Sequence, residues 1–172
     1  MKRSNVILRV VAESTKHRFP GFCDYAQNDK ELGRGKSMST EWYLQAHSYG
    51  DEQFIPFAKI QSAFSTYPTG TETTCLTVTL PEGDVDFYMD LSDEISSLMI
   101  SRPIESNSLS RIIYEIMQSG RFIFFATDAN FPIILHPEVI EHLPEGMLDA
   151  LGEPKVADSP EVFSRLLQEM YE

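Results

Sequence analysis

The chain has 172 residues, 42% apolar and 23% charged, with 11 Phe and 7 Tyr, which is too rich in core-forming side chains for a disordered segment and enough for one ordinary domain. No run approaches the roughly 18 consecutive apolar residues of a membrane span, and the start, Met1-Lys2-Arg3-Ser4-Asn5-Val6-Ile7-Leu8-Arg9, breaks its apolar stretch at Arg9 before a secretory core forms; a cytoplasmic location is expected. A formal charge of −12, from 14 Lys and Arg against 26 Asp and Glu, argues against nucleic acid or anionic lipid as a direct partner.

Residues 5–13 (NVILRVVAE) are short and rich in Val and Ile, as a buried strand is. Residues 14–40 change character: His17-Arg18-Phe19-Pro20-Gly21 and Gly33-Arg34-Gly35-Lys36-Ser37 are turn chemistry in polar sequence, which predicts a long loop. The second string is no phosphate loop, because that motif needs a glycine where Lys30 stands. Over residues 40–47, Trp42, Leu44 and Ala46 alternate with Glu41, Tyr43, Gln45 and His47, which predicts a strand with one wet face. Phe54, Phe57, Ile60 and Phe64 follow at helical spacing with Pro56 in the first turn, and Tyr67-Pro68-Thr69-Gly70 reads as the turn that ends the helix.

Residues 74–80 (TCLTVTL) place Leu76, Val78 and Leu80 on one side of a strand, and after the turn Pro81-Glu82-Gly83-Asp84 the order Val85, Phe87, Met89, Leu91 alternates with Asp84, Asp86, Tyr88 and Asp90. The pair reads as a β-hairpin. Period two sends those aspartates to a single face, near Glu82, Asp93 and Glu94, so six carboxylates fall within thirteen residues that contain no Lys or Arg. Such a face is either simply solvated or receives a basic partner.

Residues 97–101 (SLMIS) are expected to form a strand closed by Arg102-Pro103. Leu109, Ile112, Ile113, Ile116 and Met117 then mark a helix face, capped by Ser106 or Ser108 and stopped at Gly120. Residues 122–126 (FIFFA) and 132–135 (PIIL) suit central strands. Short helices are expected over 137–143 and 144–151, a brief strand at 155–157, and a final helix opened by Ser159-Pro160-Glu161 with Val162, Phe163, Leu166, Leu167 and Met170 inward. Glu138, Glu141, Glu145, Asp149 and Glu153 form a second acidic series, read as the wet side of those helices. The whole predicts one α+β domain over residues 1–172, a single mixed, largely antiparallel sheet backed by helices, with 14–40 as a loop-rich segment.

Reactive constellations are scarce. His136, Glu138, Glu141 and His142 are dense in metal-capable groups but lack the HExxH order, so no metal or other cofactor is assigned. Cys23 and Cys75 have no metal spacing and are expected as reduced thiols. His17 near Cys23 is the one place for a thiolate pair, and Cys23 reads more simply as a small apolar filler. Charge is uneven: residues 1–36 hold eight basic and four acidic side chains, which leaves six basic and twenty-two acidic ones beyond them.

The stretch Ser101-Arg102-Pro103, the helix ending at Gly120, His142-Leu143-Pro144-Glu145-Gly146-Met147 and Leu151-Gly152 resembles the C-terminal half of bacterial cytosolic immunity proteins, as do the size and acidity of the chain. The resemblance covers roughly residues 100–172 at the level of the class rather than a subfamily. It implies a non-enzymatic, stoichiometric inhibitor that blocks a basic toxin or effector domain with an acidic surface. Asp84, Asp86, Tyr88, Asp90, Asp93 and Glu94 are the candidate partner-binding residues, the carboxylates for attraction and Tyr88 for anchoring. Two other readings stand beside it: a small-molecule-binding or hydrolytic enzyme with a pocket near the 14–40 loop using His17, Cys23 or His47, and a secretion chaperone for a basic effector.

Overall fold

The alternation of Trp42, Leu44 and Ala46 is realised as strand β1, Glu41–Ser48, the centre of a nine-stranded sheet. The computed structural model describes residues 40–72, 74–91 and 93–172. The strand expected over 5–13, and with it Lys30, His17 and Cys23 of the loop expected over 14–40, lies outside the described residues. Strands β2 (Asp51–Glu52), β3 (Ile55–Pro56), β4 (Thr69–Glu72), β5 (Cys75–Leu80), β6 (Gly83–Tyr88), β7 (Glu94–Ile95), β8 (Ser97–Ser101), β9 (Phe122–Ala126), β10 (Ile133–Ile134) and β11 (Lys155–Val156) follow. The main sheet runs β11-β10-β9-β1-β8-β6-β5-β4, with β2 paired to β1, while β3 and β7 make a separate pair. Every pairing is antiparallel except β10 with β11. The architecture is therefore α+β, a mixed and mostly antiparallel sheet backed by helices.

Three helices cover one face: α1 (Phe57–Phe64), α2 (Asn107–Met117) and a C-terminal helix, Pro160–Glu169, which is α4 once the short α3 (Met147–Leu151) is counted. Phe64 of α1 meets Phe87 of β6 edge-on at 5.1 Å, and Phe163 of α4 meets Phe124 of β9 at 5.6 Å. Between them lies α2, whose expected stripe of Leu109, Ile112, Ile113, Ile116 and Met117 is entirely buried. Ser106 and Ser159 cap α2 and α4 by accepting the Leu109 and Val162 N–H groups, each cap contributing about 1 kcal/mol. Each large side chain fully buried in this layer contributes roughly 1.5–3 kcal/mol.

Three expectations need correction. The outer face of β1 is not wet, because Tyr43, Gln45 and His47 are as buried as the residues between them. Tyr43 stacks on Phe125 of β9 at 5.3 Å, and the 3-10 helix Pro137–His142 packs against β1 with Val139 and His142 buried. The helix after Gln53 starts at Phe57, since Pro56 is held in extended backbone by β3, and this leaves Phe54 exposed. Thr69 and Gly70, read as the end of the turn from Tyr67 to Gly70, belong to strand β4, which is in register with β5 from Thr69 opposite Val78 to Glu72 opposite Cys75. No helix among the described residues is long and apolar enough to cross a membrane.

Candidate functional site

The two-residue turn Pro81-Glu82 sets the β5–β6 hairpin so that Val78 faces Val85 and Leu76 faces Phe87 on the helix side. Asp84, Asp86 and Tyr88 are thereby turned to the opposite face, together with Cys75, Thr77 and Thr79 of β5. Ladder registers extend this outer face across the sheet. One row runs Tyr43, Met99, Tyr88, Cys75, Glu72, and the next runs Glu41, Ser101, Asp86, Thr77, Gly70. Adjacent strands are about 4.8 Å apart and alternate residues of a strand about 7 Å, so Glu41 and Glu72 each stand roughly 10–12 Å from Asp86, about one Debye length, and their fields add to it at low salt.

Hydrogen bonding and burial set the local state of this face. Thr77 Oγ1 donates to Asp86 at 2.7 Å, fixing that carboxylate on the strand. The half-buried Cys75 thiol is pushed up by burial and then by the charge of Asp86 beside it, which disfavours the thiolate a nucleophile needs. At the sheet centre the Tyr43 hydroxyl donates to Glu41, and it is pushed up first by burial and then by that hydrogen bond and the Glu41 charge.

The other sequence candidates are placed apart. Strand β6 ends at Tyr88, so Asp90 is exposed beyond it. Glu94 belongs to the β3–β7 pair, opposite Pro56, and Asp93 just before it accepts the Phe57 N–H with its carbonyl. Glu82 turns toward the helix layer and accepts from Ser108 Oγ at 3.1 Å. The six carboxylates are thus divided among four places, and only Asp84 and Asp86 share a strand face. Two contributors to that face are not among the partner-binding candidates: Glu41, expected on the outer side of its own strand, and Glu72, which the alternation Thr69, Thr71 against Gly70, Glu72 marks.

Glu82 also borders a polar cleft of about 340 Å³ between α2 and α4, with Glu105, Asn107, Ser164 and Gln168 around it and Trp42 at its base. The buried His47 stands elsewhere, opposite Glu52 in the β1–β2 hairpin. Burial lowers its pKa, with the Asp51 backbone and the Glu52 charge pulling the other way, and neither ring nitrogen has a hydrogen-bond partner of good geometry. His142 is buried on the 3-10 helix, where its Nδ1 accepts the Tyr49 N–H at 3.3 Å and its ring meets the Tyr49 ring at 4.3 Å. At three residues per turn Glu138 does not stack on His142, and among the described residues no group of three or more His, Cys, Asp and Glu converges as metal ligands would. Glu138, Glu141, Glu145, Asp149 and Glu153 are all exposed, on the wet side of this region.

No family model matches the chain, and neither a curated protein nor a solved structure is found to match it.

Proposed function

We propose that this chain is a non-enzymatic acidic binding protein of the immunity class, acting in the cytoplasm and blocking a basic toxin or effector domain with the outer face of the β5–β6 hairpin. One observation carries the reading: Asp84 and Asp86 stand in a row on an open strand face, in a segment from Ile60 to Ser101 that has seven carboxylates and no Lys or Arg. Beyond that segment, Arg111 pairs with Glu115, and Lys155 and Arg165 pair with Glu169. A face of one sign accelerates encounter with an oppositely charged partner, while Tyr88 in the same row offers an aromatic contact that slows release.

The partner is to be captured from lysates of the source cell and its competitors, identified by mass spectrometry, and then tested as a purified domain. Reversal of Asp84 and Asp86 to Lys is expected to lower the association rate by about tenfold or more at low salt and to flatten its salt dependence. An association rate equal to that of the parent protein at low ionic strength removes the hairpin from the account.

A further inference from the structure

Among the described residues the main sheet ends in two edges of different build. At one end β11 is two residues long and bears Lys155, whose Nζ bonds Glu169 at 3.2 Å, and shortness and a lysine are both devices that discourage further pairing. At the other end β4 has all four residues exposed and contains no lysine and no proline. Its hydrogen-bonding pattern follows from the ladder. The Thr79 N–H donates to the Pro68 carbonyl, so Pro68–Thr79 is a hydrogen-bonded pair, and pairs alternate from there: Gly70–Thr77 and Glu72–Cys75 are bonded, Thr69–Val78 and Thr71–Leu76 are not. Thr69 and Thr71 therefore direct their N–H and C=O groups away from β5, along an edge with which no other described strand pairs.

We infer that β4 receives an extended basic segment of the partner protein as an added strand, an inference that rests on the acidic-binding reading above and specifies its mode. Main-chain bonds to Thr69 and Thr71 supply the docking, and side-chain alternation supplies the selection. Every second residue of the added strand falls on the side of Glu72 and Gly70, the face that carries Asp86 and Asp84 further in, and cations are favoured there. The intervening residues lie against the Thr69 and Thr71 side chains. A second copy of this chain is disfavoured as occupant, because pairing β4 with itself brings together two bodies of charge −12 and their Glu72 carboxylates.

The test uses the full chain and a capped peptide of alternating Lys and Thr, against the same peptide N-methylated at alternate backbone amides, with binding read by isothermal titration calorimetry at low salt. The parent protein is expected to bind the first peptide and to bind the N-methylated one at least about tenfold more weakly, although the charge is unchanged. Thr71→Pro removes only an outward N–H, leaves the bonds to β5 in place, and is expected to weaken the unmodified peptide by a similar factor. Equal binding of both peptides by the parent protein overturns strand addition, and it does so even if Thr71→Pro fails to fold. Binding that survives Thr71→Pro and N-methylation but is lost on reversing Asp84 and Asp86 also overturns it, while leaving the acidic-surface reading intact. Absence of binding by either peptide overturns it, as does a dimer of the parent protein in sedimentation that Thr71→Pro dissolves.

Discussion

Strands β1 and β6 lie in one sheet with only β8 between them, yet their outer faces meet different surroundings. On β1 the outward residues Tyr43, Gln45 and His47 are buried, and Tyr43 is stacked on Phe125. On β6 the outward residues Asp84, Asp86 and Tyr88 are exposed or half-buried. The inner faces of both are packed alike, under α2 and α4 for one and α1 for the other. Among the described residues the sheet is thus packed on both faces at its centre and on its inner face at this wing, so the centre can change little without loss of stability while the wing can vary its outer residues at small cost.

The sharpest way to break this comparison is in the centre. Phe124→Ala removes a fully buried ring that meets both Trp42 and Phe163, and a loss of about 3–5 kcal/mol in urea unfolding is expected. A loss below about 1 kcal/mol would mean that the centre is no more constrained than the wing. Gly120→Ala asks to which class the small β3–β7 pair belongs. A Cβ there would overlap Ile55 Cδ1, and Ile55 is buried, so a cost of about 1–3 kcal/mol is expected in the same measurement; a neutral outcome would show the pair to be as yielding as a loop.

Histidine 47 sharpens the contrast through pH. Its folded pKa lies below the ordinary value of about 6.5, so below that pH the unfolded chain binds a proton that the folded chain resists. Stability is thus expected to be complete above about pH 6.5 and to fall as the pH drops from there toward the folded pKa. Urea midpoints compared at about pH 7.5 and 5.5 should move less in His47→Gln than in the parent protein. Identical shifts would remove the residue from the account. The smallest effect is expected on the wing, where Asp84→Asn should leave stability within about 0.5 kcal/mol, and a larger change would mean that its carboxylate is held by the fold rather than offered to solvent.

Much of the inner core could be read from residue order alone. The stripe from Leu109 to Met117, the run 122–126 and the alternation of Val85 and Phe87 each carry one period and one outcome, because a single apolar face has a single way to be buried. The outer face of β1 was illegible for the opposite reason: Gln45 and His47 are polar, and only tertiary contacts decide that they are enclosed. Strand β4 was hidden by Thr69-Gly70, whose composition suits a turn as well as an edge. The candidate site was legible as charge and not as geometry. Alternation placed Asp84 and Asp86 together, but it was carried too far, since β6 stops at Tyr88 and the chain then leaves the sheet before Asp93 and Glu94.

Trp42, the one tryptophan of the chain, is almost wholly enclosed, and its Nε1 donates to the Tyr171 hydroxyl at 2.7 Å. The indole therefore links the middle strand to the second-last residue, and burial pushes that phenol up to about 12. The molecule carries its own optical reporter as a result: emission excited at the indole band registers whether the C-terminal end of the chain is seated, and any event that lifts it becomes visible as a red shift without a label.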